Sequence, residues 1–260
     1  MMNGRSISAG KARGTVLKID GAFSFLGGVD GSTGELKGDN KGNISDRIFV
    51  FQMGKGSTVG SFTMYDLKVH GKQPAAVINR TAETIVATGA VISSIPMIDR
   101  IDVSLLQNGD DVTVDGDIGT AEIHNVKIMG SVSSVILSGG RILMLRRPDD
   151  ASSFPGIWSL VAGRIEEGEG AEETAVREIF EETGISVSRP DAHLDPIFIR
   201  EKDIIWKVHP FLFTHDGTDV ELNSENLDHR WVMPDELEGM STVASTVSAV
   251  KELLKKIRCP

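Results

Sequence analysis

Cysteine is all but missing: the chain contains one, Cys259, in 260 residues. A single thiol excludes an intramolecular disulfide, and it excludes a cysteine-ligated iron–sulfur cluster held by this polypeptide alone. Long apolar runs are missing too. No stretch reaches the roughly eighteen residues a membrane helix needs, and the opening MMNGRSISAGKARG lacks the apolar centre of a secretory signal. A cytoplasmic protein with no membrane contact is expected. Positive charge is in the minority, 27 Lys and Arg against 37 Asp and Glu for a net charge of -10. That balance argues against nonspecific nucleic-acid binding, so a polyanionic substrate would arrive with a metal ion. The six histidines (His70, His124, His193, His209, His215 and His229) show no metal-ligand spacing and are expected to be structural or surface residues.

What is present is enough for two ordinary cores. Hydrophobic residues make up 40% of a chain too long for one average domain. The first half alternates short β-rich runs with Gly, Asn and Asp: Thr15 to Ile19, Arg47 to Gln52, Ala75 to Ile78, Ala90 to Ile92 and Asp111 to Val114 are expected strands. SFTMYDLKVH, Ser61 to His70, suits a helix. Between the strand IFVFQ and that helix lies GKGSTVGS, Gly54 to Ser61. A glycine turn at a helix N-terminus aims backbone N–H groups and hydroxyls at one point, here around Gly56, Ser57, Thr58 and Ser61. A Gly/Ser loop that merely caps a helix is the plainer reading. No Gly-Lys-Ser/Thr follows at phosphate-loop spacing.

Three blocks, SFLGGVDGSTGEL (Ser24 to Leu36), GKGSTVGS, and PAAVINRTAETIVATGAVISSIPMID (Pro74 to Asp99), together resemble the small subunit of archaeal phosphomevalonate dehydratase, the swivelling domain of the aconitase X family. The resemblance spans about Gly10 to Asn125. It implies a β/β/α swivelling domain over 1–127, a proton-abstracting serine at Ser57, and a separate large subunit that holds the iron–sulfur cluster. Serine is a poor base unless its alkoxide is stabilised by N–H groups and cations. Dehydration by this polypeptide alone is chemically implausible.

The second half opens with a hairpin, Ser131 to Leu137 and Arg141 to Arg147 about the turn Ser138-Gly139-Gly140. The loop PDDASSFPGIW follows, then SLVAG and the segment GRIEEGEGAEETAVREIFEETGI, Gly163 to Ile185. From Ala171 to Thr183 there is no Gly or Pro, and Gly184 suits a left-handed helix stop. On that helix Glu178, Glu181 and Glu182 share one side, while Val176, Ile179, Phe180 and Thr183 are expected to pack on a core. Like charges at this spacing repel and call for a counter-charge, and hard oxygen ligands suit Mg²⁺ or Mn²⁺. Arg177 is expected to point off the cluster and pin Glu169 by paired hydrogen bonds.

This segment resembles the Nudix box, whose fixed places fall here on Gly163, Glu169, Arg177, Glu178, Ile179, Glu181, Glu182, Gly184 and Ile185. Pro155, Gly156 and Trp158 match the loop that precedes it in that family, with Trp158 expected to pack rather than touch substrate. The resemblance implies an α/β/α sandwich with a mixed sheet over 128–260, hence an α/β (α+β) protein. It also implies hydrolysis of a pyrophosphate in a nucleoside diphosphate derivative or similar small diphosphate. Glu178, Glu181 and Glu182, with the Ala162 carbonyl, are the expected metal ligands. Glu178 is the first candidate for the base and Glu225 the alternative. The only tyrosine is Tyr65 and position 201 is Glu rather than Pro, which counts against diadenosine polyphosphate and ADP-ribose as substrates.

Downstream, Pro196 to Arg200, Ile204 to Thr214 and Arg230 to Val232 read as strands, and Thr246 to Ile257 as an amphipathic helix. Three readings follow: a bifunctional protein, a hydrolase whose first half only binds substrate or oligomerises, or a non-catalytic Nudix-like sensor. Complete box carboxylates disfavour the last. Fusion to a mevalonate-pathway domain adds an isoprenoid-pathway diphosphate as a sharper substrate hypothesis, and a homo-oligomer stays open.

Overall fold

The computed structural model describes residues 1–151, 154–243 and 245–258. Cys259, and Ser152 and Ser153 in the loop before Pro155, lie outside the described residues. The chain divides into two compact units, Met1–Val126 and Lys127–Pro260.

In the first unit, β1 (Met2–Asn3), β2 (Arg5–Ser8), β3 (Lys11–Lys18) and β4 (Ala22–Phe23) precede one irregular helical turn, α1 (Phe25–Gly28). Then β5 (Ile48–Gly54), α2 (Val59–Val69), β6 (Ala76–Thr81), α3 (Thr84–Ile92) and β7 (Met97–Asp99) alternate, and β8 (Asp111–Asp115) and β9 (Thr120–Ile123) form a final hairpin. β3, β5, β6 and β7 are parallel neighbours, which is why helices connect β5 to β6 and β6 to β7. β8 continues the sheet antiparallel from β3, followed by β9 and β1. The sheet order begins with β1 and ends with β2, and only Gly4 separates these two in the chain, so the sheet curls back on itself. Gly4 leaves no room for a side chain: a Cβ there would lie 2.2 Å from the Asp99 carbonyl oxygen.

Inside the curl Val16, Ile48, Ile78, Ile98 and Val112 are buried, while Phe23, Phe25, Phe49 and Phe51 pack, several edge to face, in the core shared with α2 and α3. Two β layers and a helical layer result, as the family resemblance implies. One expectation fails here. Ala90 to Ile92 belongs to α3, not to a strand. Its β-branched residues favour a strand, but the Glu83 side chain accepts from the Ile85 and Val86 N–H groups and starts a helix, and Gly89 lets that helix close on Met64 of α2. Short apolar runs are ambiguous by periodicity alone.

The curl is fastened by Asp99, whose side chain is 1% exposed and which takes Arg5 Nε at 2.9 Å, Arg5 Nη2 at 2.8 Å and the Ala82 N–H at 3.0 Å. Burial alone would raise its pKa, but these donors hold it below the ordinary aspartate value. The stability it contributes is therefore present above the ordinary pKa and lost as pH falls through the depressed one. Asp99→Ala should cost about 2–3 kcal/mol at pH 7 and remove that part of the acid sensitivity, read from urea melts at pH 7 and pH 3.

The second unit is built on β10 (Lys127–Ser138) and β11 (Arg141–Arg146), with β12 (Trp158–Ser159), β13 (Val161–Arg164), α4 (Ala171–Thr183), β14 (Ala192–His193), β15 (Ile197–Glu201), β16 (Ile204–Thr214), β17 (Asp228–Val232) and α5 (Thr246–Arg258). β10 runs parallel to β16 and antiparallel to both β11 and β13, so the sheet is mixed. α4 buries Ala175 and Ile179 against Val132, Leu143 and Phe211 in one core cluster. α5 buries Val250, Leu253 and Leu254 with Val135, Met144 and Leu212 in another. The result is the expected α/β/α sandwich. Phe180 departs from expectation: it is 59% exposed, because it sits one residue, about 100°, round the helix from fully buried Ile179. Trp158 packs with the α5 cluster and carries the Arg230 guanidinium over its ring at 4.8 Å.

No helix among the described residues is long and apolar enough to cross a membrane.

Candidate functional site

α4 begins at Gly170, whose N–H is taken by Glu173 Oε2 at 3.1 Å, and stops at Gly184, left-handed at φ 70°. Glu172 and Glu173 in the first turn suit the positive end of the helix dipole. These stops fix which side chains meet β13.

The first is Glu182, 5% exposed, whose Oε2 accepts from Asn226 Nδ2 at 2.9 Å and whose Oε1 accepts from the Ala162 N–H at 3.4 Å. Burial pushes its pKa up to about 7; the Asn226 hydrogen bond opposes the rise, and the charges of Glu178 and Glu225 add to it. Glu178 lies against the bare Cα of Gly163, where an added Cβ would fall 1.9 Å from its carboxyl carbon. Burial also raises the Glu178 pKa, against the pull of Arg177, with Glu181 and Glu225 adding to the rise. Glu225, 47 positions beyond Glu178 in the chain, is thus near enough to be felt by both carboxylates.

Arg177 joins loop to helix. Its Nε and Nη2 grip Glu169 at 2.8 and 3.0 Å, the paired bond expected from sequence, and hold that carboxyl well below the usual range. It does not point off the carboxylate cluster, however. Its Nη1 reaches Glu178 Oε1 at 2.8 Å and Glu181 Oε2 at 2.9 Å. The physical reason is repulsion: three carboxylates on adjoining turns gather the nearest cation, and a guanidinium carries enough donors for several acceptors.

A divalent cation fits this donor set by chemistry. The donors are hard oxygens only, and Glu178 and Glu182 each feel excess negative charge from their neighbours. Among the described residues no three His, Cys, Asp or Glu side chains already stand at metal-ligand spacing. Glu178 and Glu181 turn to Arg177, and Glu182 to Asn226. Iron–sulfur ligation does not fit this chain, which has Cys259 alone.

Beside Ala162 and Gly163 opens a cavity of about 250 Å³, lined among others by Phe154, Leu160, Trp206, Val208 and Thr246. Trp206 is held by its Nε1 hydrogen bond to Glu201 at 2.9 Å. Neither Trp206 nor Asn226 carried a signal in the sequence: each is an ordinary residue of a later segment until the fold places it.

In the first unit, the turn after β5 places Ser57 and Thr58 at the surface at the start of α2. Ser57 Oγ accepts from the Val59 N–H at 3.4 Å, and its carbonyl takes the Gly60 N–H at 2.8 Å. Gly56, at φ +114°, passes so close to Ser24 Oγ that a Cβ would meet it at 2.6 Å. Ser61 is not part of this turn's open face: it is 9% exposed, with its hydroxyl donated to the Thr58 carbonyl at 2.7 Å.

Comparison with known proteins decides the family of each unit. The family model described as aconitase X swivel domain matches residues 1–123. The phosphomevalonate dehydratase small subunit of Thermococcus sibiricus is 48% identical over 127 residues, 47% of this chain and 98% of that protein. The chain belongs to the aconitase X swivel family. The counterpart from Thermococcus kodakarensis is 52% identical over 126 residues, 47% of this chain and 95% of that protein. Beyond the swivel domain, a family model described as NUDIX domain matches residues 127–252. Solved structures similar to the two parts include aconitase X of Thermococcus kodakaraensis in its holo form, 50% identical over 47% of this chain and 97% of that one (TM-score 0.46). A MutT protein from Methanosarcina mazei is 23% identical over 52% of this chain and 99% of that one (TM-score 0.48). The chain thus joins an aconitase X swivel domain to a NUDIX domain.

Proposed function

We propose that the NUDIX domain is a Mg²⁺- or Mn²⁺-dependent pyrophosphohydrolase. The observation that carries this reading is the Glu178 carboxylate seated on Gly163 and within electrostatic reach of buried Glu182, on the strand whose Ala162 and Gly163 also line the Trp206 cavity. Glu178, Glu181 and Glu182, with the Ala162 carbonyl, would hold the cation, which supplies neutralisation of the bridged phosphates and acidifies water. Arg177 fixes the Gly163 to Gly170 loop through Glu169 and shares its charge with Glu178 and Glu181. Glu178, with its raised proton affinity, is the first choice to take the proton of the attacking water, and Glu225 the second.

A nucleoside diphosphate derivative is the substrate class we favour, because two aromatic side chains, Trp206 and Phe154, line the apolar cavity that Ala162 and Gly163 border. An isoprenoid-pathway diphosphate is the second reading, motivated by the fused domain whose relatives are named for phosphomevalonate. A Mg²⁺-dependent phosphate-release screen separates the two. Turnover of nucleoside diphosphate derivatives with none on isopentenyl diphosphate supports the first, the reverse supports the second, and no release from either with Mg²⁺ or Mn²⁺ sinks the hydrolase assignment.

For the swivel domain we propose the role its relatives' name states, the small subunit of a phosphomevalonate dehydratase, completed by a separate large subunit that carries the iron–sulfur cluster. Ser57 would be the base. Its hydroxyl faces solvent with one amide donor, so the cation that stabilises its alkoxide would come with the other subunit. In the reconstituted pair, Ser57→Ala should lower dehydration about 1,000-fold or more while leaving pyrophosphate hydrolysis unchanged. Equal dehydration by the variant would reduce the swivel domain to a binding or oligomerisation module.

A further inference from the structure

The cavity that Ala162 and Gly163 border is polarised from one side to the other. Alternate residues of β16 (Trp206, Val208, Pro210) and of β15 (Ile197, Ile199, Glu201) line it, as the two-residue period of a strand requires, so its floor is the sheet itself. β10 runs between the two sides: β13 pairs along one of its edges, and β16, then β15, lie beyond the other. On the β13 side the lining includes Arg164 together with Gly163, on which Glu178 rests. On the far side stands Glu201, the only acidic residue of the lining among the described residues. Three strand spacings separate β13 from β15, so the guanidinium and the carboxylate mark the ends of a site about 14 Å across, the length scale of a nucleotide rather than of a bare diphosphate. Between them, on β16, is Trp206, whose only polar atom, Nε1, already donates to Glu201 Oε2 at 2.9 Å. What the indole offers a ligand is its apolar ring.

We propose that Glu201 chooses the base: the cavity takes nucleotides whose base carries an exocyclic amino group in place of a carbonyl, as in cytosine and adenine, and rejects uracil and hypoxanthine. The proposal rests on the nucleotide reading given above and adds to it the selection among bases. The ring lies on Trp206 and the amino group donates to Glu201, while the phosphates lie towards Arg164 and Gly163. A carboxylate accepts hydrogen bonds at about four sites and donates none, so the bond from Trp206 does not saturate it. It has a place for an amino group and nothing to give a carbonyl. Uracil or hypoxanthine would set a carbonyl oxygen against it, two acceptors with no proton between them and both stripped of water. Sites built around one hydrogen bond discriminate strongly for that reason. Trp206 is the partner that fixes the direction of this carboxylate, so the stacking surface and the acceptor are positioned together.

The test uses the full chain and two matched pairs, CTP with UTP and ATP with ITP, whose members differ in base only by the exchange of amino group for carbonyl. With Mg²⁺ the parent should favour the amino member of each pair by about 10-fold or more in kcat/KM. Glu201→Gln keeps an acceptor for Trp206 Nε1 but adds a donor, so the indole stays in place and both ratios should fall to about one or below. Trp206→Leu should weaken all four substrates. Binding of CMP and UMP to the metal-free chain, followed by calorimetry, reads the same choice without chemistry, and CMP should bind the more tightly. No preference in the parent, by turnover or by binding, would overturn the proposal. Preference intact in a Glu201→Gln variant that melts with the parent would also overturn it, leaving Glu201 as a support for Trp206. Tighter binding of CMP than UMP, lost in Glu201→Gln, with no turnover of any of the four, would uphold the base choice while the hydrolase assignment falls.

Discussion

Glu182→Gln is expected to abolish metal-dependent hydrolysis, with kcat down about 1,000-fold or more, and yet to leave the metal-free protein as stable as the parent or more so above pH 7. The two effects have one cause. In the parent, burial raises the Glu182 pKa to about 7. A carboxyl whose folded pKa exceeds its unfolded one stabilises the fold least when ionised. Stability is therefore fully present below the ordinary glutamate value, about 4.3, and falls as pH rises through about 7. The cost of the ionised form is about 3 kcal/mol. Glutamine keeps an acceptor for Asn226 or the Ala162 N–H and removes the charge. Mg²⁺ should raise the melting midpoint of the parent at pH 8 and leave that of the variant in place. A variant that melts well below the parent at pH 8 without metal would show that Glu182 is an anchor of the fold rather than a charge held for a cation.

Gly163→Ala is expected to cost about 100-fold or more in turnover with a modest loss of stability. A Cβ at this position would lie 1.9 Å from Glu178 Cδ and 2.0 Å from its Oε1. The side chain can swing clear at small energetic expense, but only by carrying its carboxylate away from the position beside Glu182. Misplacement of a reacting group by an ångström is enough for that loss. Gly168→Ala is the informative contrast. It has the left-handed φ of 86° but no atom within 4 Å of the added Cβ, so it should strain the loop by about 1 kcal/mol and leave kcat within a few-fold of the parent. Equal losses in the two variants would attribute the effect to loop strain rather than to Glu178. The comparison is read from steady-state kinetics beside thermal melts.

Much of the second unit was legible because local chemistry brackets it. Gly170 and Gly184 mark the ends of α4 at the residues where the structure places them, and the pairing of Arg177 with Glu169 follows from their places on loop and helix. β16 runs over Ile204 to Thr214 as its apolar, β-branched composition suggests. Legibility falls where an outcome depends on residues far away in sequence. Asn226 reaches Glu182 across 44 positions and Arg5 reaches Asp99 across 94, and nothing local announces either. The helix α3 was missed because tertiary packing of Gly89 on Met64 and the Glu83 cap outweigh the strand preference of its β-branched residues. The bridging position of Arg177 was missed for a related reason: helical projection shows which way a side chain leaves the axis, not how far a long guanidinium reaches back.

The central claim is that the carboxylates of α4 hold a cation against a diphosphate, and its most direct test is anomalous scattering from Mn²⁺ in crystals grown with a slowly hydrolysed nucleoside diphosphate analogue. The account predicts a manganese peak within ligand distance of Glu178 and Glu182, with Arg177 Nη1 drawn off Glu178 and the analogue's phosphates on the opposite side of the ion. Bound analogue with no peak there, and with Arg177 still paired to both Glu178 and Glu181, would contradict it.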